Sequence, residues 1–423
     1  MKYHSLYGHM LSEQRLKDSF KQVQLAKGAA GIDMQSLSDF ARNLDVEIDD
    51  LLAELQEKTY KPLPVRRVEI PKSDGGIRLL GIPAVRDRVV QQALRSILEP
   101  IFDPDFHPSS YGYRKGKGCH QAISKASLFI RQYHLKHVVD MDLSKCFDCL
   151  DHQIILQQFG KKVADGSIIN LLKLLLESGV MVGNTLQATD IGSPQGGVIS
   201  PLICNVYLDS FDQYMKERGH RIVRYADDIL ILKSTGKAAA NAQQVATDYL
   251  ENVLKLKVNQ QKTHLTHSDK GVKFLGVVIE TDYTRIQKLK LKAFKEKVKS
   301  YTKRNTGLNL KEVIWKLNPV LRGFSQYFKI ANCSRELKGI ISWTRRRLRC
   351  IQLKQWKTYA KLQRRLRQLG YFKQLPRIKM MSWRNAKSPQ SSMAMPNKWL
   401  HDELGLYDLA QVKTGVIAHQ IDG

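Results

Sequence analysis

The tetrapeptide Tyr225-Ala226-Asp227-Asp228 lies between Arg221-Ile222-Val223-Arg224 and Ile229-Leu230-Ile231-Leu232. That pattern predicts a strand, a two-residue turn and a second strand, with both carboxylates at the tip of a tight hairpin. Adjacent acids there repel each other and add nothing to packing. A divalent cation would neutralise them, and hard Mg²⁺ favours one or two carboxylates plus substrate phosphates. An isolated Asp-Asp pair is usually a solvated turn; the apolar flanks and the preceding tyrosine argue against that here.

A second acid site stands upstream, at His137-Val138-Val139-Asp140-Met141-Asp142-Leu143-Ser144-Lys145-Cys146-Phe147-Asp148. Its start alternates like a strand, so Asp140 and Asp142 project from one face, and either can be the third metal ligand. Nucleotide polymerisation needs a flat side chain a few residues past the first acid, to press on the sugar of the incoming nucleotide. Counting five from Asp142 reaches Phe147, whereas counting five from Asp140 reaches Lys145. The count favours Asp142 and leaves Asp140 as a supporting or solvated residue. Three carboxylates from two strands can hold two Mg²⁺ roughly 3.5–4 Å apart.

Other segments follow a definite order. Ser73-Asp74-Gly75-Gly76 predicts a turn between two short strands. Lys72 and Arg78 at its shoulders can clamp a triphosphate, Arg by a planar fork and Lys as a point charge. Arg66 is a third candidate phosphate contact. Gly196-Gly197 lets backbone approach a ligand closely, Gln195 offers an amide to template or nucleotide, and Ser193-Pro194 fixes the entry.

These segments, with Gly28-Ala29-Ala30-Gly31-Ile32-Asp33, Tyr111-Gly112-Tyr113-Arg114, Phe274-Leu275-Gly276, and Leu317-Asn318-Pro319 before Leu321-Arg322-Gly323, resemble a bacterial group II intron reverse transcriptase, or maturase. The similarity runs from about Lys27 to about Leu406 and is closest to a short class C form. It implies an α+β right-hand polymerase: fingers, an antiparallel palm sheet, a helical thumb/maturase domain and a small C-terminal DNA-binding subdomain. The implied activity is RNA-directed DNA polymerisation by two-metal nucleotidyl transfer, with dNTP substrates on an RNA template with a DNA primer. Group II intron RNA and target DNA are the further partners that it implies.

The resemblance assigns Mg²⁺ to Asp142, Leu143, Asp227 and Asp228, and gives Lys262 the protonation of departing pyrophosphate. It assigns Arg66, Lys72, Arg78, Phe147 and Gln195 to the nucleotide. Arg114, Ser193, Pro194, Gly196, Phe274, Leu275 and Gly276 fall to template and primer, and Arg322 to RNA.

The chain has 423 residues and net charge +28, long enough for two or more domains. Between Arg285 and Lys387 stand 30 Lys and Arg against only Glu296, Glu312 and Glu336, a net of +27; the rest nets +1. An excess so concentrated repels itself without a polyanion. Nucleic-acid backbone is the expected partner, with salt-dependent affinity. Inside the block Trp343, Leu348, Ile351 and Leu362 recur near helical spacing. Arg345, Arg346, Arg347, Arg349, Lys354 and Lys357 populate the other faces as candidate RNA contacts.

A basic amphipathic helix can also lie on a membrane. No apolar stretch approaches about 18 residues, however, and Met1-Lys2-Tyr3-His4 does not open a secretory leader. A cytoplasmic protein with no membrane partner is expected. Cys146 and Cys149 form the single C-x-x-C, with no second pair or His cluster to complete a zinc site, so free thiols are expected. Beyond Leu400 only 23 residues remain, too few for the His/Asn/His nuclease domain that many such proteins carry, so target cleavage in cis is not expected.

Expected boundaries are an N-terminal extension at 1–60, fingers and palm at 61–285, thumb/maturase at 286–372 and the C-terminal subdomain at 373–423. One strand is predicted over 273–279 and one helix over 238–254. Two other readings stay open: an RNA-binding splicing cofactor with dispensable polymerase activity, and a relative adopted for host defence or repair. Intact Asp142, Asp227 and Asp228 favour retained catalysis.

Overall fold

The computed structural model describes residues 2–71, 76–182, 185–187, 191–193, 196–373 and 375–415, without the side chains of Arg78, Val182 and Leu186. It divides into two compact units, Met1–His267 and Ser268–Gly423. The first opens with helices α1 (Glu13–Ala26), α2 (Leu37–Arg42) and α3 (Leu44–Gln56). The glycines at 28 and 31 break the run between α1 and α2, and a Ser36–Asp39 capping box restarts it.

Strands β1 (Val65–Pro71), β2 (Ile77–Ile82), β3 (His137–Met141), β4 (Val180–Val182) and β5 (Thr185–Gln187) follow, then β6 (Arg221–Tyr225), β7 (Asp228–Lys233) and β8 (His264–His267). Helices α4 (Val85–Phe102), α5 (Cys119–Arg131), α6 (His152–Gly160), α7 (Gly166–Leu176), α8 (Ser200–Glu217) and α9 (Gly236–Asp248) alternate with them. One sheet runs β2-β1-β4-β5, and the palm sheet runs β6-β7-β3-β8. Every pairing in the palm sheet is antiparallel, as the α+β expectation requires.

Alternation decides which face of the palm sheet each side chain joins. Ile229 and Ile231 of β7 join the main core with Val139 and Met141 of β3 and with Ala239, Ala242 and Ala246 of α9. Small residues at that spacing let α9 lie close on the sheet. The helix predicted to 254 is α-helical only to Asp248, and a π turn over Tyr249–Val253 completes it.

The second unit carries β9 (Val272–Phe274), β10 (Val277–Ile279) and β11 (Thr284–Ile286), then α10 (Lys288–Tyr301), α11 (Leu310–Phe328), α12 (Ser334–Trp356), α13 (Tyr359–Gln368) and α14 (Pro389–Ala394). The single strand predicted over 273–279 is a hairpin instead, with Phe274 paired to Val277. Leu275 and Gly276 turn it, with φ of 44° and 81°, the two positive values of a type I′ turn. Leu353 of α12 packs with Leu362 and Leu366 of α13 and with Met380 and Met395. Among the described residues no helix is long and apolar enough to cross a membrane. All six cysteines are free thiols.

Candidate active site

In the β3–β7 pair His137 faces Lys233 and Met141 faces Ile229. Continuing that register by one residue sets Asp142 opposite Asp228, neighbours across the two strands. Asp140, paired with Leu230, projects to the same side. Tyr225 pairs with Asp228, so the two-residue turn is Ala226-Asp227, and Asp228 opens the second strand.

Asp228 is exposed by surface area. Desolvation of its carboxyl, and then the like charges of Asp227, Asp140 and Asp142, nevertheless push its pKa up to about 7. The repulsion is the part of that shift which the strand register independently supports.

Asp142 is held from the segment before β8. Asn259 Nδ2 donates to its Oδ2 at 3.0 Å, and its own N–H donates to Thr263 Oγ1 at 3.2 Å. Asn259 N–H also donates to the Asp142 carbonyl at 2.8 Å, and Ser144 N–H to the Lys257 carbonyl at 2.9 Å. Those two bonds flank the Leu143–Val258 pair, which turns the Leu143 carbonyl away from that strand.

Lys262 Nζ lies 3.9 Å from Asp142 Oδ2, and His264 Nε2 lies 3.9 Å from Asp140 Oδ2. The Lys262 pair is too exposed to stabilise much, but it places an ammonium beside the acids. Carboxylates and a backbone carbonyl form a hard-oxygen donor set, which suits Mg²⁺. Among the described residues no group of three His, Cys, Asp or Glu side chains stands in metal-holding geometry.

Phe147 is buried, 6.3 Å from the Tyr113 ring and edge-on to it. Ser193 is buried too: its N–H donates to the Phe147 carbonyl at 2.7 Å and its hydroxyl to Ser200 Oγ at 2.7 Å. It fixes the loop to the Phe147 turn rather than opening towards template. Gly196 has φ of 118°, and an added Cβ would come 2.3 Å from the Gly81 carbonyl oxygen. Its freedom is used against β2.

Lys72, Pro194 and Gln195 lie outside the described residues, as does the side chain of Arg78. Arg66 Nη2 donates to the Ala30 carbonyl at 2.6 Å. Arg114, expected at the template, is occupied otherwise. Its guanidinium donates to Asp103 Oδ1 at 2.7 Å and to the carbonyls of Asp103, His107 and Ser110. The side chain is only 6% exposed, so Arg114 shapes the loop instead of presenting a cation.

In the second unit, the Leu275 carbonyl accepts from Tyr327 Oη at 2.9 Å, and Arg322 is exposed with its guanidinium 5.3 Å over the Tyr407 ring. The four α12 arginines differ from the open basic face that periodicity predicts. Arg345 donates to His401 Nε2 at 3.0 Å and pairs with Asp408, Arg346 stacks over Trp383, Arg347 donates to the Thr302 carbonyl at 2.8 Å, and Arg349 donates to the Met395 carbonyl at 2.9 Å. All four are half-buried. Other segments of the unit pack on the faces that α12 alone would leave to solvent. Lys354 donates to Asn305 Oδ1 at 2.7 Å, and Lys357 is exposed just past the helix.

Sequence reasoning missed Asn259 and Thr263, and also the buried trio Arg224, Asp212 and Asn205 behind the turn. The one available signal was Arg224 following the apolar Ile222 and Val223 inside β6.

Residues 70–279 match the family described as reverse transcriptase (RNA-dependent DNA polymerase). Residues 291–372 match the group II intron, maturase-specific domain. The chain is 33% identical over 331 residues to Protein YkfC of Escherichia coli, an alignment covering 69% of this chain and 86% of that protein. It is 27% identical over 340 residues to the group II intron-encoded protein LtrA of Lactococcus lactis, covering 64% of this chain and 56% of LtrA. A structure of apo telomerase from Candida tropicalis is partly similar, with TM-score 0.43 and 14% identity over 55% of this chain and 58% of that one. The chain thus belongs to the group II intron reverse transcriptase/maturase family, an RNA-directed DNA polymerase domain followed by a maturase domain.

Proposed function

We propose that the palm acids of the first unit carry two-metal nucleotidyl transfer, extending a DNA primer on an RNA template with dNTPs. The basic second unit holds group II intron RNA and target DNA. The observation that carries this reading is the β3–β7 register, which makes Asp142 and Asp228 cross-strand neighbours beside Asp227. Asp142, Asp227, Asp228 and the Leu143 carbonyl would hold two Mg²⁺, which when bound activate the primer 3′-hydroxyl and neutralise the leaving pyrophosphate.

Asn259 and Thr263 keep Asp142 aimed at that position, and Lys262 gives a proton to the pyrophosphate. Lys72, Arg78 and Arg66 receive the triphosphate. Gln195 with Pro194, and the Phe274-Leu275-Gly276 turn, meet nucleotide, template and primer. The working division is an extension at 1–60, fingers and palm at 61–285, thumb/maturase at 286–372 and a DNA-binding subdomain at 373–423. A cytoplasmic location is part of the same reading.

Primer extension on an annealed RNA template tests the reading. Mg²⁺ and dNTPs should support synthesis to the template end, chelation should stop it, and the intact chain should promote splicing of its intron RNA. Tight RNA binding without extension at any Mg²⁺ concentration would favour the splicing-cofactor reading instead.

Phe147 has its own test. If its ring presses on the sugar 2′ position, Phe147→Ala should raise ribonucleotide over deoxyribonucleotide incorporation by about tenfold or more, the scale of one lost packing contact. Competition between the two nucleotide types in single-nucleotide extension measures this. Unchanged discrimination at full activity would make Phe147 a core residue and reopen the choice between Asp140 and Asp142.

A further inference from the structure

Arg224 and its partner Asp212 of α8 are both fully buried. Arg224 Nε lies 2.9 and 2.8 Å from the two Asp212 oxygens, and Nη2 lies 2.6 Å from Oδ2. A buried ion pair is weak evidence for stability, since apolar residues of similar volume often serve as well. The informative nitrogen is Nη1, which donates to the Ala226 carbonyl at 3.0 Å and to Asn205 Oδ1 at 3.1 Å. Asn205 in turn donates to the Gly112 carbonyl at 2.9 Å. The Arg224 backbone is tied to the same loop, donating to the Ser109 carbonyl and accepting from Tyr111 N–H, both at 2.9 Å.

These bonds converge on the turn that carries the acids. Ala226 has φ of 58°, a left-handed conformation that a residue with a Cβ holds only when its surroundings impose it. Gly112 presses on it from behind: a Cβ there would come within 2.3 Å of Ala226 N.

We propose that Arg224, Asp212 and Asn205 are positioning residues for polymerisation, fixing the strained Ala226 peptide and so the direction in which Asp227 and Asp228 present their carboxylates. Asp212 balances the guanidinium, so Arg224 grips the carbonyl while its charge is met away from the catalytic acids. The inference rests on the assignment of Asp227 and Asp228 to metal binding.

Two variants of the full chain test it. Arg224→Met with Asp212→Leu removes both charges for apolar volume. Arg224→Lys keeps the charge against Asp212 but loses the planar fork whose separate nitrogens reach Asp212, Asn205 and Ala226 together. For each, melting temperature, primer–template affinity, extension kcat and half-saturating Mg²⁺ are measured. Affinity should stay at the wild-type value and the Mg²⁺ requirement should rise severalfold. The kcat should fall roughly ten- to a hundredfold, the scale of an active-site misplacement of about 1 Å.

A merely structural pair would move the melting temperature alone. Either variant, folded and with wild-type kcat and Mg²⁺ dependence, overturns the proposal. If the double variant does not fold, Arg224→Lys decides. Asp227→Asn run alongside separates the failures. If Asp227→Asn is inactive while the folded Arg224 variants behave as wild type, positioning alone is wrong. If Asp227→Asn extends normally, the metal assignment falls and this proposal with it.

Discussion

Asp227→Asn is expected to abolish Mg²⁺-dependent primer extension, lowering kcat roughly 10³-fold or more, about 4 kcal/mol of barrier. Converting one turn carboxylate to an amide removes a charged oxygen donor from a set that has few. The fold should tolerate the change, because Asp227 stands in a turn where it already crowds Asp228 and helps to raise that carboxyl's pKa. Affinity for RNA should hardly change, since +27 of the net charge lies between Arg285 and Lys387. Extension and RNA affinity are measured on one preparation, with circular dichroism to check folding. Equal loss of both in a folded protein would make the acid pair structural.

The second large effect concerns salt. On α10, Lys288, Lys292, Lys295 and Lys299 share one exposed face, about a third of a turn round from the side that buries Phe294 and Val298. Lys299 Nζ lies 3.2 Å from Glu296 Oε2 in an exposed pair. Replacing the four lysines with Gln should flatten the plot of log K against log salt by about 3 units, since each neutralised phosphate contributes roughly 0.7–0.9 to the slope.

The four arginines of α12 should respond differently. Their guanidinium groups are tied to His401, Asp408, Trp383, the Thr302 carbonyl and the Met395 carbonyl. Arg345→Gln, Arg346→Gln, Arg347→Gln and Arg349→Gln combined should lower the melting temperature and leave the slope nearly intact, because charge-assisted bonds inside the unit are lost. Salt titrations of both variants separate the two outcomes. A flattened slope from the arginine set, with the lysine set unchanged, would put α12 rather than α10 against RNA.

What the sequence by itself determined was local. The acidic pair between two strand-like runs, the aromatic five residues past Asp142 and the uneven charge all follow from residue type and short spacing. Alternation and helical period depend only on neighbours a few positions apart. Tertiary structure decided whatever depends on distant partners. The pairing of β3 with β7 joins segments far apart in the chain, and only that register makes Asp142 and Asp228 neighbours. Helical period put the α12 arginines opposite an apolar stripe but could not show that His401, Asp408 and Met395 would cover that side.

Gly196 was legible as a close approach, yet the Gly81 carbonyl that it meets belongs to β2, far away in the chain. The Leu275-Gly276 turn was hidden because leucine, not asparagine or aspartate, fills the first left-handed position. Arg224 was hidden for the opposite reason. A charge beside apolar neighbours within a strand reads as an interruption until Asp212, Asn205 and the Ala226 carbonyl are seen to close around it. A buried guanidinium requires partners, and local spacing cannot say which residues of a folded chain will supply them.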